Sequence, residues 1–267
     1  MSLSGPLGVL RRLRRGAARL RGLVLIAMLA AIAVTATTVW LAGRGAGTAA
    51  RDTTSGSVVR VGVADGASIP DYAQRSRAEL AALVAGGHTG ETVALVTFGA
   101  YLAPDQLPPV LAGVALSQVY ARVPASNLQT QIVRLDAFRV PADVTAGMDR
   151  IAAKKNAEAA DYARLVAGLG TTDSERDLRA VYTSGQHIAT VEAAAYRAHC
   201  ACVYAAVVRA APAALDQLAH RDGVRVVDPA PEVQQLDRAV FLPPLPEQRE
   251  LAVPPDNSGQ PAASPSG

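Results

Sequence analysis

The chain has 267 residues, of which 50% are apolar, 18% charged and only 4% aromatic, and its formal net charge is +3. The positive balance is local: the first 21 residues carry six arginines and no acid, so the remainder has a net charge of −3. A nucleic-acid binder advertises a basic surface, and a remainder of that charge excludes general affinity for nucleic acid.

Arg11, Arg12, Arg14, Arg15, Arg19 and Arg21 precede an uncharged apolar run from Gly22 to Gly43. A helix of about 20 such residues crosses a bilayer core of roughly 30 Å, so the run predicts a single transmembrane helix. The arginine excess on its N-terminal side predicts that residues 1–21 stay in the cytoplasm, against anionic headgroups, and that the C-terminal portion is exported. Trp40 falls near the outer interface, where indoles concentrate. A cleavable signal peptide is the rival reading, with Thr48-Ala49-Ala50 as its cleavage site.

Residues 44–57, rich in Gly, Ala, Ser and Thr, read as a flexible linker. From Val58 to Leu242 there are enough residues for one core, which Val, Leu, Ile and Ala must fill because aromatics are scarce. Val58 to Val63 reads as a short strand suited to an edge. Ile69-Pro70-Asp71 opens a helix, with proline in the first turn where its missing N–H costs little, and Gly86-Gly87 ends it. Thr92 to Tyr101 is continuously apolar and β-rich, the profile of a strand covered on both faces. A short helix from Pro104 and a strand from Val114 to Val123 follow, with a weaker strand candidate at Gln131 to Val140.

Two longer helices come next. The first spans about Ala142 to Gly168, with an apolar stripe of Val144, Met148, Ile151, Tyr162, Leu165 and Leu169 that Lys155 and Glu158 interrupt, so its centre is expected to be exposed. In the second, Thr172 and Glu175 fit a capping box, and Leu178, Val181, Ile188, Val191 and Ala195 make one apolar face. The short Gly-rich connection predicts an antiparallel helical hairpin.

The chain then repeats an earlier pattern. Val93 to Val123 reads strand, Ala103-Pro104-x-x-Leu107, short helix, Gly113, strand; Cys202 to Val227 reads strand, Ala211-Pro212-x-x-Leu215, short helix, Gly223, strand. The expected fold is therefore α+β: a transmembrane helix, then a mixed-sheet domain in which two β-α-β units can form a ferredoxin-like sheet and the hairpin is an insertion. A mixed sheet without internal symmetry is the alternative. Thr92 to Tyr101 and Cys202 to Arg209 are expected as central strands of one sheet. The Pro/Ser-rich end, residues 243–267, is expected to be disordered.

Cys200 and Cys202 are the only cysteines. In an exported, oxidising setting they form a candidate disulfide. The other readings are two reduced residues leading a buried strand, or thiol-redox or metal chemistry with His199. A tetrahedral zinc site needs further ligands, and His187 lies over three helical turns back. No catalytic, cofactor-binding or metal-binding set emerges: there is no Gly-x-Ser-x-Gly, no Walker loop and no His-Glu-x-x-His. Asp65, Asp71, Asp105 and Asp228, each close to Gly or Pro, read as turn or cap residues.

The expectation is a non-enzymatic, cofactor-free domain at the bacterial cell envelope. The lipid bilayer and an envelope protein are its expected partners. An envelope thiol or metal-binding protein using the Cys-x-Cys pair is the alternative, as is a secreted protein released by signal cleavage.

Overall fold

The computed structural model describes residues 58–254. The predicted transmembrane span Gly22 to Gly43 and the linker 44–57 lie outside the described residues. Within 58–254, no helix is long and apolar enough to cross a membrane.

Strand β1 (Val59–Gly62) leads into helix α1 (Ile69–Ala85), whose first turn is closed by Ser68: its side chain accepts from the Asp71 amide. Strand β2 (Thr92–Leu102) is followed by a 3₁₀ turn and the one-turn helix α2 (Leu107–Val110), then β3 (Ala115–Ala121) and β4 (Val133–Asp136). Helices α3 (Ala142–Ala167) and α4 (Asp173–Arg197) form the hairpin. The chain then runs through β5 (Val203–Ala210), α5 (Pro212–Ala219), β6 (Val224–Ala230) and β7 (Ala239–Leu242).

Five strands form one sheet in the order β4-β3-β5-β2-β6, and every neighbouring pair is antiparallel. The two β-α-β units, β2-α2-β3 and β5-α5-β6, interleave: β5 lies between β2 and β3, and β2 lies between β5 and β6. This is the split β-α-β order, 4-1-3-2 in the strands of the two units, with β4 added at one edge. The apolar strands β2 and β5 take central positions because both of their faces are covered. The parallel pairing is separate, between β1 and β7 in a second, two-stranded sheet. The expectation that Val58 to Val63 edges the main sheet is thus corrected. Its own alternation, with only Val61 and Val63 buried, suits a two-stranded flap over one face.

Pleating divides the core. Ala94, Val96, Phe98, Val119, Ala206 and Val208 face α2, α5 and the roots of α3 and α4. Val93, Leu95, Tyr120, Tyr204 and Val207 face β1, β7 and the chain after them. Helix α1 packs against β6, with Ile69, Tyr72 and Ala73 against Val63 and Val226. At Gly62 (φ +110°) a Cβ would overlap the Leu242 carbonyl oxygen, so this close crossing of β1 and β7 needs glycine.

Two expectations need correcting. The segment after Leu242 is ordered as far as Pro254: Leu245 and Ala252 are buried, and Arg225 donates to the carbonyls of Leu245 and Gln248. Arg122, itself buried, holds Glu247 at 2.7 Å. A few apolar contacts and two guanidinium anchors, Arg122 buried and Arg225 half-buried, suffice to order it; residues 255–267 lie outside the described residues. The centre of α3 is not exposed either. Lys155 is 4% accessible, because its ammonium meets Glu192 of α4 at 2.7 Å and Glu158 at 3.0 Å.

Candidate functional site

The hairpin is anchored at one end only. Its root is fixed by Val144, Met148 and Ala152 of α3 and by Ala189, Ala193 and Tyr196 of α4, all buried. Between them the Lys155–Glu192 pair sets the register of one helix on the other, and the second Glu192 oxygen accepts from the Gln131 amide at 2.5 Å. Burial opposes the Lys155 charge, but hydrogen bonds and charge from Glu192 and Glu158 outweigh it and raise its pKa above the ordinary lysine value.

From Asn156 to Ile188 no residue is buried. The outer 12 residues of α3, at 1.5 Å each, make an arm of about 18 Å. It is nonetheless well made. Arg179 donates to the carbonyls of Val166, Leu169 and Gly170, satisfying the end of α3, where a cation is also favoured by the helix dipole. Thr172 and Glu175 form the expected capping box. Tyr162 and Tyr182 lie 6.3 Å apart between ring centroids, and Gly185 leaves room for the Tyr162 ring.

The apolar face foreseen for α4 is only partly used. The residues buried on α4 are Ala189, Glu192, Ala193 and Tyr196, whereas Leu178 and Val181 are exposed, as is Leu165 on α3. The loop before β4 lies along α4, and Leu128 with Ala180, Thr183, Ser184 and His187 lines a shallow, open depression of about 490 Å³. The arm therefore presents apolar side chains on a rigid support that its own domain leaves uncovered.

At the root of the hairpin, Cys200 and Cys202 are joined by a disulfide, with Cα atoms 5.3 Å apart. Cys202 is fully buried and its amide donates to the Leu102 carbonyl, so the bridge sits at the turn from α4 into the sheet. His199 adopts φ +50° and its Nε2 lies 2.9 Å from Asp149. Among the described residues, no group of three or more His, Cys, Asp and Glu side chains is placed to hold a metal ion. Closing so small a loop contributes about 1–2 kcal/mol. Replacing both cysteines with serine should lower the unfolding free energy by that amount or slightly more, because Cys202 also loses packing. Differential scanning calorimetry checks this, and thiol counting with and without mild reductant separates a structural bridge from a redox-active one.

A second constellation was not foreseen. Asp228, expected as a turn residue, lies inside β6 and is 7% accessible. It accepts from the Ser76 hydroxyl of α1 at 3.2 Å. Burial pushes its pKa up to about 6, the Glu79 charge adds to the shift, and hydrogen bonds from Ser76, Tyr72 and the Gly62 amide oppose it. Beside it lies the buried Tyr72 hydroxyl: burial, the Asp228 charge and hydrogen bonding to Asp228 hold its pKa well above the usual tyrosine value, with Ser76 opposing. These groups floor a polar cleft of about 180 Å³ rimmed by Arg60, Arg75, Glu79 and Glu232. The sequence signal was a lone Asp in an apolar strand, VVDPA, and a lone Ser on the sheet-facing side of α1.

No protein-family model, no curated protein and no solved structure matches this chain.

Proposed function

We propose that this chain is a single-pass, membrane-anchored protein of the cell envelope, with a non-enzymatic extracytoplasmic α+β domain that binds or assembles with an envelope protein through its helical hairpin. One observation carries this reading: the arm between Asn156 and Ile188 is rigidly capped, yet exposes Leu165, Leu178 and Val181. Leu178 and Val181, three residues apart on α4, share one helix face, and exposed apolar side chains that share a face support an interaction surface. The uncharged run Gly22 to Gly43 with its arginine flank supports the anchor and its orientation. A disulfide at the hairpin root suits an oxidising compartment.

The test is the native size of the full-length protein solubilised from membranes in mild detergent. Wild type is expected in a species larger than the monomer, and Leu178→Glu/Val181→Glu is expected to return it to the monomer with an unchanged circular-dichroism spectrum. A monomeric wild type, or a complex indifferent to both substitutions, would contradict the reading. Protease added to wall-stripped cells should remove the region after Arg51 and spare residues 1–21; a species beginning near Arg51 would instead indicate signal cleavage.

A further inference from the structure

We propose that the cleft between β1, α1 and β6 binds a small molecule carrying a primary ammonium group, preferentially a zwitterion of the α-amino-acid kind whose carboxylate is taken by the rim arginines. The inference is independent of the hairpin and of what it contacts.

The floor selects a hydrogen-bond donor that is also a cation. Asp228 is buried, and among the described residues no lysine, arginine or histidine forms an ion pair with it. A buried carboxylate with only hydroxyl and amide donors lacks the counter-charge that normally accompanies it. Tyr72, a buried residue lining the same cleft, adds a hydroxyl oxygen beside Asp228. Buried charges are normally paired, so a buried carboxylate that lines an open cleft without a counter-charge points to a cationic partner. An ammonium group has three donors and no acceptor, and can serve Asp228 and the Tyr72 oxygen together. Glu79 and Glu232 at the rim deepen the negative potential; burial and the Glu232 charge raise the Glu79 pKa, with Arg75 opposing.

A metal ion fits less well. The acidic groups of the cleft are not placed to ligate one ion together. The rim also carries Arg60 and Arg75, both exposed, whose planar guanidinium groups suit a carboxylate. The rim carries both signs, so a ligand whose ammonium meets Asp228 finds the Arg60 and Arg75 guanidinium groups in the same cleft for its carboxylate. The volume of about 180 Å³ lies below the 300–1,000 Å³ of drug-sized clefts, so only a few heavy atoms fit.

Ligand-observed NMR on the full-length protein in detergent micelles, with glycine, L-alanine, ethylamine, acetate and L-tryptophan as probes, tests this. Glycine and L-alanine should bind saturably, ethylamine several-fold more weakly, and acetate and tryptophan not measurably. Asp228→Asn, close in shape and able to accept from Ser76, should reduce glycine binding at least tenfold with an unchanged circular-dichroism spectrum. The exposed double substitution Arg60→Gln/Arg75→Gln should bring glycine down to the level of ethylamine while leaving ethylamine unchanged. Absence of glycine binding, binding that survives Asp228→Asn, or acetate binding as tightly as glycine would each overturn the proposal.

Discussion

Lys155→Met should lower the unfolding free energy by about 3–5 kcal/mol, the range for removing one partner of a buried ion pair. The loss of the pair's attraction is the smaller part of that effect. Glu192 is fully buried, and without Lys155 its carboxylate would have only the Gln131 amide as a donor. The double substitution Lys155→Met/Glu192→Leu removes both charges and should recover much of the loss, since apolar replacements of a buried pair are often neutral or better. A denaturant-unfolding cycle over the four proteins measures the coupling. If the two single substitutions and the double substitution were simply additive, the pair would not be acting as a unit. The double variant should also show a less fixed hairpin, with faster amide exchange from Asn156 to Ile188, because among the described residues no other buried ion pair fixes the register at the root.

Asp228→Asn should have the opposite sign and stabilise the protein at pH 7. The Asp228 pKa is raised from 3.8 to about 6, so the folded state binds this proton more tightly than the unfolded chain does. Its stabilising effect is therefore fully present below about pH 4 and is lost as pH rises to 6 and beyond. At about 1.4 kcal/mol per pKa unit, charging the buried carboxyl costs on the order of 3 kcal/mol at pH 7. Asparagine escapes that cost and still accepts from Ser76. Unfolding midpoints measured from pH 4 to 8 should converge for the two proteins at the acid end, separate between pH 4 and 6, and stay several degrees apart above pH 6. Parallel curves would mean that Asp228 is not the titrating group. Retaining an ionised aspartate at a stability cost is also what a binding site for a cationic group requires.

Much of the fold was legible because its signals were local. The unbroken apolar stretches of β2 and β5 required cover on both faces, and the paired Ala-Pro-x-x-Leu helices between strands exposed the two β-α-β units. Thr172 and Glu175 announced the start of α4 through a reciprocal cap that needs only four residues. The misreadings came from long-range pairing. Lys155 looked like a break in an apolar stripe, since its partner Glu192 is 37 positions away on a helix whose register the sequence alone did not fix. The segment after Leu242 looked disordered by composition, yet Arg122 and Arg225, distant in sequence, hold it. The Asp228 cleft was invisible for the same reason: Ser76 lies 152 positions from Asp228, and neither residue sits in a recognisable motif. Leu178 and Val181 belong to an apolar stripe on α4, but periodicity reports the stripe without reporting what covers it.

The central claim is that the exposed outer half of the hairpin is the surface that meets another envelope component. The most direct measurement places a photo-crosslinking amino acid at Val181 in the full-length protein in intact cells, with the same substitution at Gln74 on the exposed side of α1 as a control. One discrete crosslinked species is expected from position 181, lost when Leu178→Glu is added, and none from position 74. Equal labelling from both positions, or no adduct from 181 in membranes where the protein is folded and anchored, would contradict it.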